Sequence, residues 1–595
     1  MKNLSHSPTH ALLEKALFFC KTNQPEKAKT IYRQFIKNFP NNTTALTNLG
    51  TIELQMGNFN SGISYLEKSI LLDGGQPNAI NNLANGLYEI NRFDDALIKI
   101  KTIEHLDYID AHYNKGRILK ALNRFDEAIE AYDYVLKLNP SHILALINRG
   151  LIFHEKKQFI EALENYELVI ELNPNYAEAY YNQGLSNTEL KKYEDAMKNY
   201  QDAIQINPNY EAAYCNLGIL YNSLSEPNKA IQSIEKAIQI NPNYAEAYYN
   251  CGVIYEGHKN YNYALKAYKT AIQINPNYAE AFVNLGLIQL NLKNFKEGWI
   301  NFEKRFLLDG YKIKDISLKS KEININSIKV SKKTLLIGEQ GIGDQLLFSS
   351  MLPDLLSNIK RLDIIIDERL IPLFQRSFPQ VSFISNKIQI DNSQYEAIIS
   401  ICSLGKLFRN YEEDFKTHAT HYLRNDPNKL YCPRKNSKKL CGISWKSKNE
   451  KIGENKSITL EKLLPILSLP NLEFVCLQYG DVENDIKEIE SKYNIQIRKI
   501  EGIDIFKNID GLASIVSEMD FIVTTSNINA HIAGSFGKEV YLLVPNSIGK
   551  IWYWHESDKQ SLWYPSTKIY RQSNNKSWED PINEIVNDLR EKLIG

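Results

Sequence analysis

The chain of 595 residues is about twice the roughly 250–300 at which a single hydrophobic core stops growing, so two or more folding units are expected. Hydrophobic residues make up 43% and charged residues 24%, a globular balance that excludes wholesale disorder. Its 70 Lys and Arg offset its 70 Asp and Glu, so no global field draws the protein to anionic lipid, and nucleic acid is not an expected partner.

At the N-terminus, MKNLSHSPTHALLEKALFFCK is broken by His, Glu and Lys before a signal-like apolar core can form, so export through a cleaved signal is not expected. The longest apolar runs, such as 364–366 and 540–544, fall far short of the ~20 residues that cross a bilayer, so no transmembrane segment is expected. The seven cysteines (Cys20, Cys215, Cys251, Cys402, Cys432, Cys441, Cys476) are scattered, odd in number and without a C-x-x-C pair, which fits neither a disulfide framework nor a zinc site. They read as reduced thiols of a cytoplasmic protein, with no metal ligand set.

An Asn-Pro pair recurs with its proline at Pro140, Pro174, Pro208, Pro242 and Pro276, a constant step of 34 residues. Five residues after each proline stands Ala145, Ala179, Ala213, Ala247 or Ala281, and ten after stands Gly150, Gly184, Gly218, Gly252 or Gly286. The pattern reaches back through Pro40/Ala45/Gly50 and, more loosely, Gly74/Ala79 and Leu106/Ala111/Gly116, giving about nine units over residues 6–309. Each unit holds two helical stretches, such as YAEAYYNQGLSNTEL and YEDAMKNYQDAIQIN, closed by a proline that cannot continue the second. The small residues let the two helices approach closely. This pattern resembles the tetratricopeptide repeat family, which implies a superhelix of helix pairs whose concave face binds a protein or peptide.

Eight residues after each repeat start, the chain places Asn48, Asn82, Asn114, Asn148, Asn182, Asn216, Asn250 and Asn284. An amide both donates and accepts, so such a ladder can pair with the backbone of an extended peptide. A similar asparagine ladder holds substrate polypeptide in the repeat domain of the O-linked N-acetylglucosaminyltransferases. The alternative reading is contact between neighbouring helices, which the repeat family also uses Asn for. Tyr176, Tyr210, Tyr244 and Tyr278 at helix starts read as packing residues.

After Phe306 the period ends, and residues 310–332 form a polar, Lys-rich connector. From Thr334 short β-type runs alternate with helical stretches, with strands expected near 334–337, 362–366, 381–385, 396–401, 440–445, 472–477, 495–499, 520–525 and 539–544. This alternation predicts an α/β protein with parallel sheets. A break near 425–438 divides it into two Rossmann-like lobes, 333–437 and 438–595, with ligand expected beyond the strands' C-terminal ends in the cleft between them.

Two segments stand out in this half. TLLIGEQGIGDQLLFSSMLPDLL reads as a strand, a turn with Gly338, Gly341 and Gly343, then Asp344 and a helix, a generic ligand site. It lacks both a Walker loop and the dinucleotide fingerprint. In DFIVTTSNINAHIAGSFGKEVYLLVP, Ser526 or Asn527 can cap a helix whose first N–H groups suit a phosphate, with His531 about one turn in.

These segments, together with GISWKSKNEKIGENKSITLEKLLPIL, FVCLQYGD, WYPSTKIYRQ and FKEGWINFEKRF at the end of the last repeat, follow an order and spacing similar to bacterial proteins that fuse tetratricopeptide repeats to a GT-B glycosyltransferase-like domain. That domain resembles the lipopolysaccharide heptosyltransferases and, more distantly, the O-linked N-acetylglucosaminyltransferases. The resemblance implies inverting, metal-independent transfer of a sugar from a nucleotide-diphosphate donor, with no cofactor. It casts Asp344 as general base beside Gly341 and Gly343, and Lys456 with the helix start at Ser526, Asn527 and His531 as holders of the diphosphate. It places Ser444 and Lys446 in the same pocket and Gln478 and Tyr479 at the base or ribose. This chain carries Ser526-Asn527 where the heptosyltransferases have Asp-Thr, which keeps a non-catalytic scaffold open as the alternative. Trp552, Trp554 and Trp563 read as packing aromatics, and the sequence leaves the sugar, the acceptor and the oligomeric state open.

Overall fold

A computed structural model describes residues 8–308, 310–311, 333–416, 421–434, 437–447, 453–546 and 551–594. The expected connector 310–332 lies outside the described residues, apart from Gly310 and Tyr311. None of the described helices is long and apolar enough to cross a membrane.

Residues Pro8 to Phe302 form eighteen helices in nine pairs. The turn inside each pair is closed by one residue with left-handed backbone, in chain order Asn23, Gly57, Asn91, Asn123, Lys157, Lys191, Ser225, Lys259 and Lys293. Only one of these is a glycine. Capping hydrogen bonds to the helix end, such as Arg92 N–H to Leu87 O at 2.9 Å, hold the others in that conformation. The step shortens to 32 residues between Gly74 and Leu106, and there the second helix stops early, spanning only Phe93–Lys101. Within a pair, the glycine ten residues after the repeat start is required by a ring. A Cβ on Gly116, Gly150, Gly184 or Gly252 would stand 2.5–2.6 Å from the ring of Tyr132, Tyr166, Tyr200 or Tyr268 respectively.

Among its described residues the second half holds ten strands: β1 (Thr334–Ile337), β2 (Leu362–Ile366), β3 (Ser382–Ser385), β4 (Ala397–Ser400), β5 (Lys439–Ser444), β6 (Leu472–Cys476), β7 (Ile497–Arg498), β8 (Phe521–Thr525), β9 (Glu539–Val544) and β10 (Thr567–Arg571). The first nine coincide with the expected strands to within about three residues at either end; β10 was not anticipated. They form a four-stranded sheet in the order β3-β2-β1-β4 and a six-stranded sheet in the order β10-β9-β8-β5-β6-β7. Every pairing in both sheets is parallel. The second sheet has the doubly wound Rossmann order and the first its four-stranded counterpart, as the α/β alternation predicts.

By packing, the chain divides into two compact units, Met1–Pro242 and Asn243–Gly595. The sequence period ends later, so the last two helix pairs belong with the sheets. The reason is a shared core: Leu290, Phe295, Trp299 and Phe302 are buried in one cluster with Leu336, Phe348, Leu404, Trp554 and Trp563. Trp299 donates its indole N–H to Arg409 O at 2.7 Å, and a Cβ on Gly405 would stand 2.4 Å from its ring. Turn residues of the same pairs add ion pairs, Lys259 to Glu556 at 2.7 Å and Lys293 to Asp558 at 2.8 Å.

A fragment beginning at Asn243 should therefore melt cooperatively, whereas one beginning at Lys333 should expose this aromatic core and aggregate; circular dichroism and size exclusion distinguish them. In the full chain, Trp299→Ala should cost about 3–5 kcal/mol, read by denaturant unfolding.

Candidate functional site

In a doubly wound sheet the strand order reverses at one point, and the loops leaving the C-terminal ends of the strands there diverge to leave a crevice. The reversal falls between β1 and β4 in the first sheet and between β5 and β8 in the second. The loops after these strands contribute to one cavity of about 500 Å³, whose wall includes Gly341, Gly343, Asp344, Cys402, Ser447, Lys456, Ser526, Asn527 and His531.

Asp344 stands at the third position of the helix Ile342–Phe348, and its carboxylate reaches back to accept the Gly341 N–H at 3.2 Å. Burial pushes its pKa up to about 6, against the lowering by the Gly341 N–H and by Lys456, although part of the residue stays open to the cavity. Lys456 closes the short helix Gly453–Lys456 and is 5% exposed; its ammonium makes no hydrogen bond among the described residues. Burial pulls it down to about 8, and the Asp344 carboxylate opposes that fall. The cavity thus holds an acid and a base whose pKa values are drawn toward each other and toward neutrality, a pattern typical of reactive sites.

The helix Ile528–Ser535 meets the glycine turn head-on. A Cβ at Gly343 would stand 3.0 Å from the His531 ring, so a side chain there would require the ring to give by a few tenths of an ångström. His531 lies 3.2 Å from the Tyr564 hydroxyl at Nδ1 and 3.3 Å from the Tyr553 hydroxyl at Nε2, and it stacks on Trp554 with centroids 5.5 Å apart. Burial, and then the charge of Lys456, holds its pKa down to about 3. His531 is therefore a neutral wall residue and supplies no charge to an anion.

Ser526 accepts the Trp554 indole N–H at 2.9 Å. Asn527 caps the helix by accepting the Asn529 N–H at 3.0 Å, and its amide donates to Ser444 Oγ at 3.0 Å. Both line the cavity, but these bonds tie their side chains into the protein.

Three expected pocket residues stand elsewhere. Ser444 is 1% exposed and pairs with the Thr524 hydroxyl at 2.6 Å. Lys446 extends its ammonium to Asp485. Gln478 Oε1 accepts the N–H groups of Trp445 at 2.8 Å and Lys446 at 2.7 Å. All three brace the loop after β5, because each stands at or just past the end of a strand whose polar groups need partners. Gln478 also borders a neighbouring cavity of about 260 Å³ that it shares with Tyr479. Tyr479 reaches the larger cavity as well.

Sequence reasoning missed Arg305, Glu339 and Tyr311, which gather beside the glycine turn, and the wall formed by Trp552 and Tyr553. Trp554 and Trp563 are buried packing aromatics as expected, whereas Trp552 lines the cavity. The run of aromatics in IWYW was the available signal for that wall.

The asparagines engage neighbouring helices. Asn48 donates to Tyr32 at 3.0 Å, Asn82 to Thr51 at 2.9 Å and Asn114 to Asn81 at 2.9 Å. Asn148 donates to Tyr113 at 3.2 Å, Asn216 to Tyr181 at 3.0 Å and Asn284 to Tyr249 at 3.3 Å. In these last three the acceptor is the tyrosine 35 residues earlier, so the contact recurs in every second repeat. Asn182 is buried, with an amide nitrogen that has no partner among the described residues, and Asn250 is half-buried.

Comparison with known proteins identifies the first half. Models described as tetratricopeptide repeat match residues 10–42, 43–75, 109–142, 211–244 and 245–278, and one described as TPR repeat matches 150–190 and 184–225. The N-terminal half is built of tetratricopeptide repeats. Arrays of this kind are protein-interaction modules. Protein FlbA of Caulobacter vibrioides is 26% identical over 326 residues, covering 50% of this chain and 52% of that protein, so the chain spans about half the length of this curated relative. Among solved structures, MamA is 33% identical over 28% of this chain and 96% of its own, with a TM-score of 0.25. YrrB, described as a TPR protein with an unusual peptide-binding site, is 25% identical over 30% and 94%, also with a TM-score of 0.25.

Because Lys456 lowers the Asp344 pKa, Lys456→Met should raise it further above about 6, as followed by carboxyl carbon NMR titration.

Proposed function

We propose that the protein is a glycosyltransferase that moves a sugar from a nucleotide-diphosphate donor to an acceptor, a protein recruited by the repeats. The observation that carries this reading is the single cavity in which Asp344, Lys456 and the start of the helix Ile528–Ser535 come together at both topological switch points. In the proposed reaction the acceptor hydroxyl oxygen bonds to the anomeric carbon as the bond from that carbon to the β-phosphate oxygen breaks. The hydroxyl proton passes to Asp344, and the electron pair leaves with the nucleoside diphosphate. Lys456 and the first N–H groups of the helix offset the charge that develops on the leaving group. Inversion follows from attack on the face opposite that group.

The repeats supply the acceptor. The carbonyl oxygens of Asn48, Asn82, Asn148, Asn182 and Asn216 accept nothing from the protein among the described residues, which leaves acceptors for the N–H groups of an extended peptide.

A second reading, a non-catalytic protein-interaction scaffold, is favoured by one observation. The side chains of Ser526 and Asn527, where the heptosyltransferases carry Asp-Thr, are bonded within the protein.

A panel of nucleotide-diphospho-sugars should include one that raises the melting temperature and is slowly hydrolysed; if none binds, the transferase reading falls and the scaffold stands. With that donor, kcat/KM should rise with pH as Asp344 ionises near 6 and fall as Lys456 loses its proton near 8. Asp344→Asn should lower kcat by about 10²–10⁴-fold while donor affinity is retained, measured by initial rates and calorimetry.

A further inference from the structure

A buried charge cluster lies beside the cavity and is supplied in part by the last repeat. Arg305 sits in the turn Glu303–Leu307 that follows the final repeat helix and is 1% exposed. Its guanidinium stands over the rings of Phe302 at 4.5 Å and Phe306 at 4.3 Å. It donates to Glu339 at 2.7 and 3.4 Å, to Glu303 at 2.7 Å, to Phe302 O at 3.2 Å, and to the hydroxyls of Ser400 at 3.2 Å and Ser403 at 3.1 Å. Glu339 also accepts from the hydroxyls of Tyr311 and Ser400. Burial alone would lower the Arg305 pKa, but the carboxylates of Glu339 and Glu303 more than offset this and hold it above its ordinary value.

The place of these partners gives the cluster its meaning. Glu339 is the second residue after β1, inside the glycine turn, while Ser400 and Ser403 stand at the end of β4. One side chain from the repeat array therefore ties together the ends of the two strands between which the cavity opens. The residue after Glu339, Gln340, has a left-handed backbone with φ of 64°, a conformation that a non-glycine residue keeps only where its surroundings hold it. The turn from Glu339 to Asp344 is thus anchored at one end by Arg305 and at the other by its helix.

We infer that Arg305 is a positioning residue for the glycine turn that carries Asp344, so that the last repeat is a working part of the site as well as a binding module. Its catalytic consequence rests on the glycosyltransferase reading; its structural consequence does not. A lysine cannot replace it, because a point charge cannot span Glu339, Glu303 and two hydroxyls as a planar fork does. Without the guanidinium, the Glu339 carboxylate is left buried and uncompensated. Its field raises the Asp344 pKa, so Arg305 also shields the proposed base.

The test uses the full chain with Arg305→Met, Arg305→Lys and the double variant Arg305→Met/Glu339→Gln. Hydrogen exchange followed by mass spectrometry should show faster exchange across residues 338–344 in both single variants, with the repeats before Asn243 unchanged. Transfer should fall by up to about a hundredfold, since a small misplacement of a reacting group is enough for that. The acid limb of kcat/KM should move to higher pH in Arg305→Met and return toward its original place in the double variant, a recovery that a general loss of stability would not produce. Unchanged exchange over 338–344 in a folded Arg305→Lys protein, or an acid limb that does not move in Arg305→Met, would overturn the inference. Exchange is read without substrate, so a wild-type protein that transfers no sugar counts against the transferase reading alone.

Discussion

The close approach of two helices, with little room for a side chain between them, sets the geometry of the cavity. Gly343 is the second residue of the helix after β1, and a Cβ on it would stand 3.0 Å from the His531 ring of the helix after β8. Because His531 is itself fixed by Tyr553, Tyr564 and Trp554, the contact is stiff on one side and has no slack on the other. The two sheets are thereby held with their switch points facing one cavity, and Asp344, one residue beyond Gly343, inherits its place from that contact.

The electrostatics follow from the same burial. A chain with equal numbers of acidic and basic residues offers no long-range field, so any anion must be held by local groups. The charged pair at the cavity is a carboxylate whose pKa is raised by burial and an ammonium whose pKa is lowered by it, each opposing the other's shift. Neither charge is solvated well enough to be inert. The neighbouring histidine, by contrast, is spent on structure, and so are Ser444, Lys446 and Gln478. Polar residues at strand ends divide between those that face the ligand space and those that satisfy the loop.

The repeat array has two roles. Seven of its helix pairs lie in the unit before Asn243; of the other two, the final pair is packed into the core that supports the cavity, and the pair before it is tied there by Lys259 and Glu556. The asparagines serve packing: the amide nitrogens of Asn48, Asn82, Asn114, Asn148, Asn216 and Asn284 are used between helices. A polar group with both donor and acceptor can be half spent and still useful.

The sequence by itself determined the repeat period, the place where the period shortens, nine of the ten strands and the parallel α/β class. Each of these depends on local spacing: a proline every 34 residues, a glycine facing a tyrosine, an apolar run between turns. It also marked the glycine turn before the helix that carries Asp344, a local pattern, whereas the roles expected of Asp344 and Lys456 came from the resemblance to the heptosyltransferases. Tertiary structure alone decided which marked residues face the cavity and which brace it, since the partner that claims Lys446 is Asp485, 39 residues away in sequence. It alone placed the packing boundary at Pro242 and joined Trp299 and Arg305 to the sheets. Those residues look like an ordinary repeat ending; their partners, Arg409 and Glu339, are brought to them only when the sheets fold.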